Sequence, residues 1–520
     1  MSRRLFLAGA GVAVGAGLYA TFRTIGDRGE VAAGLVPATN RTLESVGGWL
    51  QPQTRRSSNG ELATTLRVSE GPVPIGTTMV KALTYERMYP GPTLDVEAGD
   101  RLVIDLVNAG PKATNLHTHG LHVTPRSPAD NVLMALDPGH RYRYEFDIPA
   151  DHPAGTYWYH AHWGMLTDSQ VFGGLFGALV VRGELDQLEG IAGLPERVMV
   201  LSQLQTIDGA IVEGDMSPID QQVTLINGLY QPTVRAGPGE TQRWRLVNAG
   251  TLFYRLRLDG HPLRVIGIDG NPLTVEEPTD VLQIPPGGRA DVLVTADAEG
   301  AFAFRSLSWK PLGNFYGTAM VPVPQTVANL QVPSTTTGTP SRRRSTGLLP
   351  LDDLRDVPIA RRRVFELAER EPRGTGRLDK YEYFINGRKF DPWVVNSIML
   401  LGTVEEWEFV NLTYEPHPVH IHINPFQVVA RNGVADYENH YRDTAILPPF
   451  GSLTVRTRFT EFVGIFVWHC HILFHEDNGM MQIAEVVPTA DMMHNGGPRR
   501  LSDREYYALQ HGLTGDAAPI

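Results

Sequence analysis

Four His-x-His pairs carry the clearest chemistry in this sequence. They are His117 and His119, His160 and His162, His420 and His422, and His469 and His471. On a strand the side chains alternate, so both imidazoles of a pair face one side and can share a metal ion. Chance would give roughly 0.6 such pairs from this number of histidines. The pairs therefore indicate metal binding, and eight converging histidines favour a cluster of several ions.

Cys470 lies between the two histidines of the last pair, so on a strand its thiolate faces away from them. It must then serve a second site, for which the nearby soft or borderline ligands are His417, His475 and Met480. His417 has the opposite parity to the pair that follows it, although Pro418 weakens that inference. A thiolate, two imidazoles and a weak thioether form the ligand set of a blue electron-transfer copper. Zinc is the alternative, since it accepts Cys and His but has no redox chemistry.

The elements that position these residues form a repeat. Residues 104–108, 244–248 and 407–411 alternate large apolar with charged residues and end in Val-Asn, which predicts a half-buried strand entering a turn. The histidine pairs of the outer copies lie at matching offsets from these strands. They also lie at matching offsets from three glycines that each precede a predicted strand, here called the glycine anchors: Gly155, Gly300 and Gly464. At the same offsets the middle copy has Arg257, Asp259, Arg305 and Leu307. We therefore expect a metal cluster where the first and third domains meet, and no metal in the middle one.

Length and composition agree with several β-domains. A chain of 520 residues exceeds one hydrophobic core, and 53 glycines with 38 prolines favour short strands joined by turns. We predict an all-β protein with domains at residues 64–185, 190–327 and 358–490, the middle one a metal-free spacer, and a linker at 333–347. The net charge of −11 offers no basic face for a phosphate backbone, so we expect no nucleic-acid partner.

The N-terminal region, residues 1–30, has the pattern of an export signal. Residues 2–7 read Ser-Arg-Arg-Leu-Phe-Leu, and an uncharged stretch rich in Gly and Ala follows as far as Phe22. This resembles a twin-arginine signal and predicts a periplasmic, cell-surface or extracellular protein. No A-x-A cleavage site follows, so retention of the segment as a membrane anchor is the alternative. With one cysteine, an internal disulfide is impossible.

Four segments resemble the copper motifs of three-domain multicopper oxidases of the bacterial, laccase-like type: residues 115–120, 157–162, 417–422 and 469–480. The resemblance extends over about residues 64–490, with the candidate ligands in the family's order and spacing. It implies three consecutive cupredoxin-like Greek-key β-sandwich domains. It also implies copper as cofactor, four ions per chain: one type 1, one type 2 and two type 3.

The resemblance also implies a role for each position. The type 1 ligands would be His417, Cys470, His475 and, as the long axial ligand, Met480. The type 2 ligands would be His117 and His420, and the type 3 ligands His119, His160, His162, His422, His469 and His471. Carboxylates beside the cluster would supply protons. Glu476 matches one of them, and Asp130 is the nearest match to the other, with a spacing two residues longer than in some members.

The leading functional hypothesis is a laccase-like enzyme that takes single electrons from phenolic or aromatic-amine donors and reduces dioxygen to water. The alternative is a metallo-oxidase acting on Cu(I), Mn(II) or Fe(II). The absence of a methionine-rich window argues against Cu(I), since soft metals prefer soft ligands, and Glu415 and Asp477 could dock harder ions. A copper-binding structural protein without turnover is disfavoured by the full ligand set. The expected partners are a small-molecule reductant and dioxygen, and the sequence leaves the oligomeric state open.

Overall fold

The computed structural model describes residues 48–204, 206–207, 210–211, 223–308, 324–334, 347–370, 381–436 and 438–513. The export signal and residues 335–346 of the predicted linker lie outside the described residues. The chain is about 51% strand and 7% helix, which confirms the all-β fold. In the described part, each helix falls short of the length and apolarity needed to cross a bilayer.

The first sandwich contains nine strands and two short helices. They are β1 (Thr54–Arg56), β2 (Glu61–Ile75), β3 (Thr78–Tyr85), β4 (Thr93–Glu97), β5 (Arg101–Ala109), β6 (His117–His119), β7 (Arg141–Asp147), β8 (Gly155–His160), α1 (Thr167–Gly173), β9 (Phe176–Arg182) and α2 (Glu184–Gln187). One sheet has the order β1-β4-β9-β8-β6, and the other contains β3-β2-β5-β7. The strands β6 and β8, which carry histidines, are therefore neighbours at one edge.

The middle sandwich follows the same plan. The strands in this part of the chain are β10 (Glu196–Leu204), β11 (Thr206–Ile207), β12 (Ala210–Ile211), β13 (Val223–Ile226), β14 (Thr233–Arg235), β15 (Thr241–Asn248), β16 (Tyr254–Leu258), β17 (Leu263–Ile268), β18 (Asn271–Thr279), β19 (Leu282–Ile284), β20 (Arg289–Thr295), β21 (Gly300–Ser306) and β22 (Gln325–Val332). The sheets are β13-β10-β15-β20-β17-β18 and β14-β22-β21-β16-β19. The short strands β11 and β12 instead extend the second sheet of the first sandwich, beside β3.

The third sandwich completes the described chain. Its elements are β23 (Arg361–Arg370), β24 (Glu382–Ile385), β25 (Val394–Leu400), β26 (Val404–Asn411), β27 (His417–Ile421), β28 (Phe426–Arg431), β29 (Val434–Ala435), β30 (Thr444–Leu447), β31 (Ser452–Arg458), β32 (Gly464–Cys470), α3 (Leu473–Asp477), β33 (Met481–Val487), a 3-10 helix (Ala490–Gly496), β34 (Arg499–Arg500) and α4 (Asp503–Gln510). The sheets are β24-β23-β26-β31-β28-β29 and β30-β27-β32-β33-β25-β34.

The three asparagines of the repeat form the same turn. In each case the side-chain oxygen accepts a hydrogen bond from the backbone N–H two residues later, at 2.8–3.1 Å. The side-chain nitrogen donates to the carbonyl four residues later, at 2.6–2.9 Å. Such Asx turns satisfy backbone groups where a strand ends. Asn108, Asn248 and Asn411 thus end β5, β15 and β26 alike and direct the chain towards β6, β16 and β27.

Each of the three glycine anchors begins a strand, and that strand pairs with β6, β16 or β27 of the same domain. Strands β8, β21 and β32 start at Gly155, Gly300 and Gly464. Each is antiparallel to its partner, and the repeat positions lie opposite each other: His117 with His160, Arg257 with Arg305, and His420 with His469. The same register therefore brings two histidine pairs together in each outer domain.

The largest buried apolar cluster contains residues from both the first and the third domain, among them Leu116, Tyr159 and Trp468. The middle domain has a separate cluster around Trp244. Burying a large aliphatic side chain such as that of Leu116 stabilises the fold by about 1.5–3 kcal/mol. The outer domains thus pack on each other, so that their histidine-bearing edges meet.

Candidate metal centre

Eight histidines from β6, β8, β27, β32 and the residues just after them converge between the first and third domains. All eight side chains are buried. The Nε2 atom of His469 lies 3.2 Å from Nε2 of His162 and 3.1 Å from Nε2 of His422. Two of these residues come from the third domain and one from the first. A single metal ion between the three nitrogens would need ligands from both domains.

Further contacts join histidines of the first and third domains. Nε2 of His471 is 3.3 Å from Nδ1 of His119, and the ring of His160 lies 5.7 Å from each of these rings, centroid to centroid. The rings of His117 and His420 lie 5.9 Å apart. The ring of His117 also stacks on that of His422, with centroids 3.9 Å apart, and the ring of His119 on that of His420 at 3.8 Å, so the eight histidines form one continuous cluster.

Unpartnered nitrogens test whether metal ions fit this cluster. His117, His160 and His420 each have Nδ1 within 2.9 Å of an oxygen, from Asp130, the Ala161 carbonyl and the Asp443 carbonyl. Their Nε2 atoms are buried and have no hydrogen-bond partner among the described residues. Buried imidazole nitrogens are normally satisfied, so three orphaned ones aimed into one cluster fit metal coordination.

Electrostatics favour the neutral, metal-binding form of the imidazoles. Burial, the largest cause in each case, lowers the pKa of His117, His119, His160, His162, His422, His469 and His471. For His162 the pKa falls to about 3. Repulsion between neighbouring imidazoles, were they protonated, lowers the pKa of all seven further. Neutral rings retain the nitrogen lone pair that a metal ion needs.

Cys470 meets His417 and His475 on the opposite side of β32. Its Sγ lies 3.4 Å from Nδ1 of His417 and 3.7 Å from Nδ1 of His475, and the two Nδ1 atoms are 3.3 Å apart. The Nε2 of His417 is hydrogen-bonded to Thr413 Oγ1 at 2.8 Å, and Nε2 of His475 lies 3.2 Å from a carboxylate oxygen of Glu415. Both rings thus present Nδ1 to the thiol, and the three form a compact, buried soft-metal site.

Met480 and Tyr383 complete the surroundings of this site. The side chain of Met480 is fully buried; its backbone N–H donates to the His475 carbonyl and its carbonyl accepts from Cys470 N–H. These bonds hold Met480 beside both residues. The ring of Tyr383 stacks on that of His475, with centroids 4.0 Å apart.

The two candidate proton donors lie beside the histidine cluster. Glu476, in α3, has carboxylate oxygens 3.3 Å from Nε2 of His162 and 3.1 Å from Nδ1 of His469. Burial, followed by the charge of Asp477, raises its pKa well above the usual value, which favours a carboxyl that carries a proton. Asp130 lies 2.9 Å from His117 Nδ1, and burial raises its pKa to about 7.

Two residues at this centre carry no sequence signal of their own. Asp443, just before β30, lies 3.1 Å from Nε2 of His119, and Arg289, at the start of β20, pairs with Asp443. Neither stands at ligand spacing in the sequence.

The remaining seven histidines, for which spacing predicts no metal role, are His122, His140, His152, His261, His440, His494 and His511. The side chain of His494 lies outside the described part of the chain, and none of the other six joins a candidate metal group among the described residues.

Fold and site together define a class: an all-β protein of three cupredoxin-like domains with a soft-metal site beside a histidine cluster. Three family models, each described as multicopper oxidase, match residues 67–186, 202–328 and 360–490. The chain belongs to the multicopper oxidase family. It is accordingly a copper-binding oxidoreductase that uses oxygen and acts on small-molecule substrates.

Relatives and solved structures agree with this assignment. Multicopper oxidase MmcO of Mycobacterium tuberculosis is 27% identical, across 92% of this chain and 95% of its own length. A laccase of Bacillus stratosphericus is 27% identical, across 78% of this chain and 91% of its own. The multicopper oxidase from Campylobacter jejuni, described as a metallo-oxidase, superposes with a TM-score of 0.74 at 26% identity, covering 87% of this chain and 99% of that one.

Proposed function

We propose that this enzyme takes single electrons from phenolic or aromatic-amine donors and reduces dioxygen to water. The observation that carries the proposal is the adjacency of two sites: Cys470 contributes to one, while its chain neighbours His469 and His471 contribute to the other. Bound copper would supply one-electron redox chemistry, and four ions match the four electrons that dioxygen requires.

The family resemblance assigns the residues that would hold copper, and the contacts among them support that assignment. His417, Cys470 and His475 would hold the type 1 ion, and Met480, whose backbone is hydrogen-bonded to Cys470 and His475, would be its further ligand by the same resemblance. By the same resemblance His117 and His420 would hold the type 2 ion, and the type 3 pair would be held by His119, His160, His162, His422, His469 and His471. The two peptide bonds of Cys470, one to His469 and one to His471, would connect the sites covalently.

Other residues of the chain would orient the ligands and handle protons. Asp130 and the Ala161 carbonyl fix which nitrogen of His117 and of His160 faces the cluster. Glu476 lies against two cluster histidines and is screened from solvent, so its carboxyl could supply a proton that the reduction of dioxygen to water consumes there.

A second candidate, oxidation of a hard divalent metal ion, is favoured by the carboxylate of Glu415, which contacts His475 Nε2 directly. The other candidate docking carboxylate, Asp477, instead accepts hydrogen bonds from the backbone N–H groups of Thr167 and Asp168. Glu415 is buried, as are His475 and the Tyr383 ring stacked on it, so a hydrated ion would have to lose its water to reach this carboxylate. We therefore rank this activity second.

A substrate panel separates the two. Purified, copper-loaded protein is assayed with phenols and aromatic amines, and with Mn(II), Fe(II) and Cu(I), alongside the Glu415→Gln variant. We expect turnover of the organic donors to exceed that of the ions, and to persist in the variant. The exposed Glu277→Gln, in the middle domain, is the matched control. Turnover of ions alone, lost in Glu415→Gln and kept in Glu277→Gln, would contradict the organic-donor proposal.

We also propose export of the protein, supported by the pattern of residues 2–7. Replacing Arg3 and Arg4 by lysine should leave the protein in the cytoplasm, as measured by cell fractionation. Unchanged export of that variant would rule out the twin-arginine route.

A further inference from the structure

The middle domain, which contributes no histidine to the cluster, touches it through the turn between β19 and β20. Gly287 in this turn has φ +76°, and a Cβ there would lie 2.7 Å from the ring of His471. No larger residue fits without displacing that ring. The backbone of the middle domain therefore forms part of the wall around a cluster histidine.

Arg289, two residues further on, is fully buried in the same wall. Its Nη1 donates to one carboxylate oxygen of Asp443 at 2.7 Å, and its Nη2 donates to the other. Nη1 also donates to the Gly287 carbonyl at 3.0 Å. This two-pronged geometry fixes the plane of the Asp443 carboxylate as well as its position.

Asp443 in turn contacts two cluster histidines. One carboxylate oxygen lies 3.1 Å from Nε2 of His119, which leaves Nδ1 of that ring facing the cluster. The backbone carbonyl of Asp443 lies 2.9 Å from Nδ1 of His420, which leaves Nε2 facing the cluster. One residue thus fixes the metal-facing nitrogen of a ligand in each outer domain.

Asp269 of the middle domain links the backbone of Arg289 to the backbone of the third domain beside Asp443. Its backbone N–H donates to one carboxylate oxygen of Asp269 at 2.8 Å, and the other oxygen of Asp269 accepts from Thr444 N–H at 3.3 Å. Thr444 follows Asp443 in the chain. The middle domain therefore holds Asp443 from both its side chain and its backbone.

We infer that Arg289 is a positioning residue for the copper cluster: through Asp443 it orients His119 and His420, so the middle domain helps to assemble a site to which it gives no ligand. The inference rests on the copper ligands proposed above. Outer contacts of this kind typically alter metal affinity by about 10–100-fold when removed.

The test compares copper retention at the two sites of the same molecule. Wild type, Arg289→Lys and Arg289→Met are loaded with copper and titrated with a chelator while copper content, the blue absorption band and the type 2 electron paramagnetic resonance signal are followed. We expect the variants to lose cluster copper at about 10–100-fold lower chelator concentration, with a changed type 2 signal and an unchanged blue band. Arg289→Lys retains the charge but cannot donate to both carboxylate oxygens of Asp443 at once. Its retention of cluster copper should therefore lie between those of wild type and Arg289→Met.

Arg243→Met is the matched control. Arg243 is also a buried arginine of the middle domain, but it pairs with Asp291 and Asp186, which contact no cluster histidine. Its loss should lower stability without changing the order in which copper leaves. The same result for Arg243→Met and Arg289→Met would assign Arg289 a purely structural role.

The remaining outcomes are also decisive. Wild-type retention of cluster copper by both Arg289 variants would overturn the inference while leaving the proposed function intact. Loss of the blue band together with cluster copper in Arg289→Lys would overturn it too, because Arg289 would then support only the fold. A wild-type protein that holds no cluster copper would instead contradict the proposed function.

Discussion

The outer domains and the middle domain place different side chains at the same positions of the same paired strands. In the outer domains these positions hold buried histidines that are paired within each domain and meet those of the other domain at the interface. In the middle domain Arg257 and Arg305 lie opposite each other, and both pair with Asp259 at 3.1 and 2.6 Å. These side chains are 31–45% exposed.

The difference shows that a shared strand register becomes a metal site only with the right residue types and the right packing. The register brings the side chains together, but a cluster also needs two such edges packed against each other so that the rings lose water. In the middle domain the edge meets solvent, and an ion pair of the ordinary surface kind occupies it. The metal function of the repeat therefore belongs to the interface between the outer domains.

The largest expected effect comes from Cys470→Ser, which removes the soft ligand of the third domain. The blue absorption band and all turnover should disappear, while the eight histidines still hold cluster copper. Visible absorption and copper content per chain measure this. A variant that stays blue would refute the role of Cys470.

Next in size is Glu476→Gln, which keeps the shape of the side chain but cannot deliver a proton. One lost general acid costs about 10²–10⁴ in a proton-coupled step. Stopped-flow experiments should show normal reduction by the donor under anaerobic conditions and slow reoxidation by dioxygen. Glu277→Gln should change neither half-reaction. Slow reduction with normal reoxidation would instead place Glu476 on the donor side.

A smaller effect is expected for Met480→Leu. A thioether donates weakly to oxidised copper, so its replacement by an apolar group should raise the reduction potential of the type 1 site. Redox titration of the blue band measures the change. The adjacent, buried Met481→Leu is the control and should leave the potential unchanged. Equal potentials in wild type and Met480→Leu would exclude Met480 as the axial ligand.

The smallest effect should follow Asp259→Asn in the middle domain. The pairs it breaks are partly exposed, so the free energy of unfolding should fall by about 1 kcal/mol or less. Copper content and turnover should stay at wild-type values. Loss of copper from this variant would contradict the contrast between the middle and outer domains.

Much of this arrangement could be predicted from local sequence. The Val-Asn segments end strands, the glycine anchors begin them, and the parity of Cys470 against its neighbours places it with His417 and His475. These features depend on the two-residue period of a strand, which the sequence displays directly.

Contacts between distant segments could not be predicted in this way. Asp443 is 324 residues from His119, and Arg289 is 154 residues from Asp443. Periodicity states which face a side chain occupies but not which remote residue packs against that face. The Gly-Gly dipeptide before Arg289 is consistent with a close backbone approach, yet it does not name the ring that is approached.

The most direct test of the central claim is the location of copper in crystals of the loaded protein, by anomalous scattering at the copper absorption edge. We predict four peaks per chain: three among the eight histidines between the outer domains, and one beside Cys470, His417 and His475. A peak between Arg257 and Arg305 of the middle domain, or an empty histidine cluster in a chain that is catalytically active, would contradict the account.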